Sequence, residues 1–356
     1  MLPRESKGIP WSPPPKPQIT LLSALYSAIR IYPANSSLHD CEIRLTKLVP
    51  VGQGGYSDCW VGEFLGCFKV AMKTLRAFIQ DDVAKRRLKR ETNVWSRLDH
   101  PNILPFIGQY VQGPTIYMVS PWMENGDALT YVQRSPDANP LQLLAQVAEG
   151  LSYLHKERVI HGDLKAANIF VSHSGHACIA DFGLSEFLGG HEVRCSTEWY
   201  VAGHPRWQAP EILKATSNEE ARRTKETDNF AYGRVMLELF TGKVPFFYLS
   251  GDTSSVLLMV MRGEFPERPT DKGTAVKGLD DNMWGLMTDC WNIDPASRPS
   301  AKHLVSRLQA ALRAQQPLSD ANGGSSSGDS KSRKRPRSPR AMSRGPHKTK
   351  QLKMST

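Results

Sequence analysis

No stretch of this 356-residue chain holds the roughly 18 consecutive apolar residues that a membrane-spanning helix needs. A signal-peptide core is missing too, since Arg4, Glu5 and Lys7 and several prolines interrupt the first residues. A receptor architecture with a transmembrane anchor is therefore not expected. Cysteine is sparse: six residues, at 41, 59, 67, 178, 195 and 290, with no pair at metal-binding spacing. That pattern excludes a disulfide scaffold and a cysteine-held zinc site, and it fits a reducing, intracellular setting, cytoplasmic or nuclear. An excess of one charge sign is nearly absent from most of the chain. Of the net charge of +10, ten Lys/Arg and two Asp from Gln316 onward supply +8, which leaves the long preceding part close to neutral.

What is present divides the chain in three. Residues 1–40 form an N-terminal extension. Its first part carries Pro3, Pro10, Pro13, Pro14, Pro15 and Pro17, a spacing that favours an extended polyproline arm. Thr20 is then placed to cap a helix whose apolar positions Leu21, Leu25, Ala28, Ile29 and Tyr32 recur every three or four residues until Pro33. This helix either packs on the body or binds a partner. Residues 41–315 carry hydrophobic content for a sizeable core. From Cys41 to about Met118 the pattern is short β-type runs broken by glycine and interrupted by one charged helix, Ala77 to Leu98, which buries Val83, Leu88, Val94, Trp95 and Leu98. From Leu141 to His155, Leu144, Val147, Leu151 and Leu154 step by three and four, which predicts a helix facing a core. Most of the remainder to Ala314 reads as helical. A sheet-dominated part (41–122) followed by a helix-dominated part (123–315) is α+β. Residues 316–356 are rich in Gly, Ser, Pro, Lys and Arg and cannot bury enough apolar surface to offset the entropy of ordering, so a disordered basic tail is expected there. Within it, Lys331-Ser332-Arg333-Lys334-Arg335-Pro336-Arg337 suits a solvated linker, a nuclear-import signal or a polyanion contact.

Three strings at fixed distances carry the chemistry: Val70-Ala71-Met72-Lys73, His161-Gly162-Asp163-Leu164-Lys165-Ala166-Ala167-Asn168 and Asp181-Phe182-Gly183. Each alone is weak. Their order is specific, with Lys73 standing 90 residues before Asp163, Asn168 five after it and Asp181 18 after it. Gly52-Gln53-Gly54-Gly55-Tyr56-Ser57-Asp58-Cys59, Ala209-Pro210-Glu211 and Asp228-Asn229-Phe230-Ala231-Tyr232-Gly233 extend the pattern over residues 41–315. The set resembles a protein kinase domain. The string Cys290-Trp291-Asn292-Ile293-Asp294-Pro295-Ala296-Ser297-Arg298-Pro299-Ser300 is similar to the tyrosine-kinase and tyrosine-kinase-like branches, and the glycine-rich loop with His-Gly-Asp-Leu-Lys resembles tyrosine-kinase-like kinases of fungi. The resemblance implies a bilobal fold, with a small antiparallel-sheet lobe plus one helix and a larger, mainly helical lobe.

It also implies a role for each matched residue. Transfer of the ATP γ-phosphate to a protein hydroxyl asks for alignment and charge neutralisation. Gly52 and Gly54 would let backbone approach the phosphates, Lys73 would bind them, and Glu91, 18 residues on, would hold Lys73. Asp163 would take or steer the hydroxyl proton with Lys165 beside it, and Asn168 and Asp181 would hold Mg2+ through hard oxygen donors. Cys59 and Ala71 above and Phe170 below would enclose the adenine, Met123 would supply backbone hydrogen bonds, and Ser120 would lie at the back. Trp95, Phe106, Phe182 and His161 should stack into a column anchored at Asp228, and Glu211 should pair with Arg298. Lys165 favours Ser/Thr over Tyr as acceptor.

Four positions, in three places, depart from the pattern. Gly162 replaces the arginine that usually receives an activation-segment phosphate, so dependence on Ser196, Thr197 or Tyr200 phosphorylation is not expected unless Arg194 or Arg206 takes over. His204 stands where a threonine usually contacts the catalytic loop, and Ser57 and Cys59 alter the glycine-rich loop. Two function classes follow: an active kinase in signalling, or a pseudokinase scaffold binding nucleotide and partner proteins. A nucleic-acid-binding protein would rest on the tail alone. Substrate and oligomeric state are not encoded in any motif.

Overall fold

The computed structural model describes residues 16–29, 37–47, 49–53, 57–75, 82–188, 202–249, 251–270, 273–274 and 277–315. Chain contacts divide it into residues 1–315 and 316–356. The predicted basic tail, Gly54, Arg194, Cys195 and the three activation-segment hydroxyls lie outside the described residues.

The chain opens with α1 (Lys16–Ile29), followed by β1 (Ser37–Leu38), β2 (Ile43–Leu45), β3 (Gly52–Gln53), β4 (Ser57–Phe64) and β5 (Phe68–Leu75). Then come α2 (Asp82–Trp95), β6 (Gly108–Gln112) and β7 (Thr115–Pro121). The seven strands form one sheet in the order β1-β6-β7-β5-β4-β2, with β3 paired to β4. All neighbours are antiparallel except β1, which runs parallel to β6, so the sheet is antiparallel-rich and residues 37–38 of the extension belong to it. Strand alternation sorts the side chains by face. Phe64, Val70, Met72 and Val119 enter a core with Tyr26, Leu38, Ile43 and Ile107. On the opposite face the register puts Cys59 across from Lys73 and Ala71 across from Ser120, a shared side that also holds Met118.

α1 corrects one expectation. It begins at Lys16, with Pro17 tolerated in its first turn, so Thr20 is an interior residue and no cap. Its buried side is Tyr26 with Ile19 and Leu22, while Leu21, Leu25 and Ile29 face out, at 71%, 45% and 49% exposure. Aromatic contact decides the orientation: the Tyr26 ring meets Phe64 and Phe68 edge-on at 5.2 and 4.9 Å. The helix packs on the sheet, but through the face beside the expected stripe, about 100° round the helix. α2 ends at Trp95, three residues before the expected Leu98, while the expected start at Ala77 and the Val83 side chain lie outside the described residues; Val94, Trp95 and Leu98 are buried and Leu88 partly so.

The second lobe holds α3 (Ala128–Arg134), α4 (Pro140–Lys156), β8 (Val159–Ile160), β9 (Ile169–Val171), β10 (Ala177–Ile179) and β11 (Glu186–Phe187). It continues with α5 (Pro210–Lys214), α6 (Lys225–Thr241), α7 (Thr253–Met261), α8 (Asp281–Cys290) and α9 (Ala301–Gln315). Asn139 accepts the Gln142 N–H and Pro140 fills the first turn, which starts α4 as predicted, with Leu144, Val147, Leu151 and Leu154 fully buried. α6 is buried on all sides from Thr227 to Phe240 and forms the axis of this lobe. A reciprocal Thr224–Thr227 capping box starts it and Gly242, at φ +68°, ends it. The hairpin β9–β10 and the antiparallel pair β8–β11 lie against α4 through β10 and β8, and β11 also meets α2. The fold is α+β and bilobal, as the motifs implied. Among the described residues no helix is long and apolar enough to cross a membrane.

Candidate active site

Lys73 reaches out of β5 on the sheet face it shares with Ala71. Its Nζ lies 2.7 Å from Glu91 Oε1 on α2 and 2.7 Å from Asp181 Oδ1 after β10, so one ammonium joins three elements. Burial alone would lower the Lys73 pKa, but Asp181 and Glu91 raise it above its ordinary value. Burial also acts against both carboxylates. It pushes Glu91 up, with Lys73 pulling it back, whereas at Asp181 Lys73 outweighs burial and holds the pKa at about 2. Asp181 is one of few non-glycine residues with left-handed backbone, φ +66°, a conformation that aspartate tolerates better than most side chains.

The loop 161–168 is fixed from beneath by the first turn of α6. Asp228 Oδ2 accepts the His161 N–H at 2.9 Å and Oδ1 accepts the Gly162 N–H at 2.9 Å, while His155 Nε2 stands 3.0 Å from Oδ2. Burial would raise the Asp228 carboxyl, yet His155, His161 and the backbone donors bring it below the ordinary range. Inside this frame Asp163 Oδ2 accepts from Lys165 Nζ at 2.6 Å and from Asn168 Nδ2 at 3.1 Å, and Asn168 Nδ2 also donates to the Asp163 carbonyl at 2.8 Å. The structure thus brings Lys73, Glu91 and Asp181 together, and Asp163, Lys165 and Asn168 together. The carboxamide oxygen of Asn168 and the carboxylate of Asp181 are hard donors of the kind Mg2+ takes, and among the described residues no cluster of three His, Cys, Asp or Glu side chains forms a closed protein cage.

Gly52 pairs with Cys59 at the start of the β3–β4 hairpin. Phe170 is half-buried on β9, bridged to Asp127. Met123 is half-buried in the connection from β7 to α3, its carbonyl accepting the Gly126 N–H at 3.1 Å. Ser120 is buried beside Ala71.

A model of the protein tyrosine and serine/threonine kinase family matches residues 45–308. The chain belongs to the protein kinase family. It is 28% identical over 265 residues to the serine/threonine-protein kinase STY46 of Arabidopsis thaliana, covering 73% of this chain and 43% of that protein. It is 30% identical over 267 residues to the tyrosine-protein kinase SRK3 of Spongilla lacustris, covering 73% of this chain and 74% of that one. The alignment to STY17 of Arabidopsis thaliana, 28% identical, again spans less than half of the relative, at 45% of its length. Both acceptor classes therefore stand among the relatives, consistent with the tyrosine-kinase-like group.

The kinase domain also carries the aromatic column. Trp95 meets Phe106 at 5.2 Å and Phe182 at 6.0 Å, Phe182 meets His161 at 5.5 Å, and the His161 N–H ends the column on Asp228. Arg298 forks onto Glu211 at 2.6 and 2.8 Å and is itself buried. Arg206 is not available as a phosphate receiver: it is buried, and its guanidinium donates to the carbonyls of Pro245, Phe246 and Leu249 at 2.6, 2.6 and 2.9 Å. His204 lines a small cavity with Asp163, Gln208 and Arg223; its Nδ1 accepts the Arg206 N–H at 3.3 Å, and burial lowers its pKa.

Sequence reasoning missed Glu238. Its Oε2 accepts the Ala166 N–H at 2.9 Å and the Trp207 Nε1–H at 2.8 Å, joining the catalytic loop to the segment that enters α5. Burial pushes this carboxyl up to about 7 against those donors. The available signal was a carboxylate set within the continuous apolar run of a central helix, a placement that demands partners.

Proposed function

We propose that this chain is an active protein kinase that transfers the γ-phosphate of ATP to a serine or threonine hydroxyl of a protein substrate in intracellular signalling. The observation that carries the reading is Lys73 held at 2.7 Å from both Glu91 and Asp181, beside an Asp163 that already receives Lys165 and Asn168. The cation is preorganised before any phosphate arrives, which is where electrostatic catalysis gains most. Asp163 orients the acceptor hydroxyl and takes its proton; Lys165, hydrogen-bonded to that carboxylate, balances charge developing on the moving phosphoryl group. Asn168 and Asp181 supply oxygen donors for Mg2+, which when bound neutralises phosphate charge. Gly52 supports a phosphate loop, since a side chain there would meet only Cys59 Cβ, at an ordinary 3.6 Å, and the fold itself does not require glycine. Cys59, Ala71 and Ser120 share the Lys73 face and, with Phe170 and Met123, suit an adenine; Gly54 extends the loop outside the described residues.

Residues 41–315 are proposed as the catalytic domain and 316–356 as a separable basic tail that engages an import factor or a polyanion. Lys165 supports Ser/Thr specificity. The rival reading is a pseudokinase scaffold. Incubation with labelled ATP and a peptide array separates the two. Wild-type transfer that Asp163→Asn reduces at least a hundredfold supports the kinase, because a lost transition-state contact costs several kcal/mol. Undiminished transfer by Asp163→Asn overturns the mechanism, and nucleotide binding without turnover favours the scaffold.

A further inference from the structure

Gly162 occupies the place of the missing arginine with left-handed backbone, φ +80°, and the space its side chain would need is taken. A Cβ there would stand 2.5 Å from Arg223 Cδ and 2.7 Å from the Leu184 carbonyl. Arg223 arrives from the connection between α5 and α6, one residue before the Thr224 that caps α6, and only 4% of it is exposed. Its Nε donates to the Gly162 carbonyl at 3.0 Å and one terminal nitrogen donates to the Ala202 carbonyl at 2.7 Å.

Gly162 is therefore gripped from both sides by the start of one helix. Asp228 takes its N–H at 2.9 Å, and Arg223, five residues earlier, takes its carbonyl. The same guanidinium continues to Ala202, where the described part of the activation segment resumes. Two carbonyls in different directions suit a rigid fork of donors and would be met poorly by a single ammonium. An anion is also built in nearby: Glu186 on β11 is raised by burial and drawn back first by Arg223, then by Arg222 and by Arg90 of α2.

We infer that Arg223 is a positioning residue that locks the catalytic loop to the end of the activation segment, doing from the α5–α6 connection, without a phosphate, what the absent catalytic-loop arginine would do with one. The inference rests on the phosphotransfer reading for its consequence in rate, but not for its structural content.

The test uses the full chain and the variants Arg223→Ala and Arg223→Lys. Expected for Arg223→Ala is a fall in kcat of at least thirtyfold with the KM for ATP within threefold of wild type. Arg223→Lys should recover part of that loss, and phosphatase treatment should leave wild type within twofold. Amide hydrogen exchange at 161–165 and 202–209 should quicken at least tenfold in Arg223→Ala while α8 keeps its protection, a local change that a general loss of stability would not produce. Should Arg223→Ala fail to fold, Arg223→Lys carries the same readouts, with kcat reduced at least fivefold. Wild-type kcat in a folded variant, unchanged exchange in both segments, or a tenfold loss on dephosphorylation each overturns the inference. A wild type that transfers phosphate to no acceptor refutes the proposed activity instead, and the exchange data still decide the role of Arg223.

Discussion

Replacing Lys73 by methionine should damage the protein twice, and the two effects can be separated. Lys73 neutralises Glu91, whose side chain is 2% exposed, and Asp181, whose side chain is 40% exposed. Without the ammonium, Asp181 can turn to water and costs little. Glu91 cannot, so at neutral pH it will take up a proton rather than remain a bare buried anion. Protonating a carboxyl with an ordinary pKa of about 4.3 at pH 7 costs about 1.36 kcal/mol per unit, or roughly 3.7 kcal/mol, and this bounds the electrostatic loss. For a domain of this size each kcal/mol moves the Tm by roughly 2 °C, so Lys73→Met should melt about 5–7 °C lower at pH 7. The deficit should shrink toward pH 5, because the variant's Glu91 binds a proton in the folded state that the unfolded chain releases above its ordinary pKa. Adding Glu91→Gln removes the charge problem, so the double variant should recover most of the Tm while phosphotransfer stays at least a hundredfold down. Calorimetry at pH 5 and 7 with a parallel transfer assay covers the cycle. Lys73→Met with a wild-type Tm at pH 7, or a double variant that melts no higher than the single one, would refute the reasoning about buried charge.

Other groups give further predictions. Because the Glu238 pKa is pushed up to about 7, the folded state holds a proton there that the unfolded chain releases above about 4.3. Wild type should therefore lose roughly 3 kcal/mol relative to Glu238→Gln as pH rises from about 4.5 to 7. Urea midpoints at several pH values check this, and a pH-independent difference sinks it. Arg234 is fully buried, its three guanidinium nitrogens have no hydrogen-bond partner among the described residues, and burial pushes its pKa down to about 9. Phe230, Phe246 and Trp291 surround the cation at 4.9, 5.1 and 4.4 Å. Such contacts return only about 0.5–2 kcal/mol each, so Arg234→Met should raise stability by about 1–3 kcal/mol; a lower Tm would show that the rings outweigh desolvation. A chain ending at Gln315 should keep its Tm and transfer activity. Alanine at Lys331, Arg333, Lys334 and Arg335 should weaken salt-dependent retention on polyanion resin or lower the nuclear fraction, and no change in either would reduce the tail to a linker.

The bilobal fold was legible, and the residues that the structure gathers around Lys73 and Asp163 could be named, because each lies in a short contiguous string whose spacing is itself the signal. Lys73, Asp163, Asn168 and Asp181 could be placed that way, and the α4 stripe could be read from its period. The exposed and buried faces of α1 could not. That helix has apolar residues on two sides, and only the partners Phe64 and Phe68, about 40 residues on, select Tyr26, Ile19 and Leu22 for burial. Glu238 and Arg223 escaped for the same reason. Each acts on backbone groups far away in sequence, at Ala166 and Gly162, and a backbone carbonyl or N–H leaves no mark in the residue type that carries it.

The occupied space above Gly162 also constrains how this chain can change. An arginine introduced at 162 alone would drive its Cβ into Arg223 and the Leu184 carbonyl, while loss of Arg223 alone would leave the Gly162 and Ala202 carbonyls without that donor. Neither step is neutral by itself. Positions 162 and 223 are therefore coupled: a phosphate-receiving arginine at 162 fits only if residue 223 changes with it.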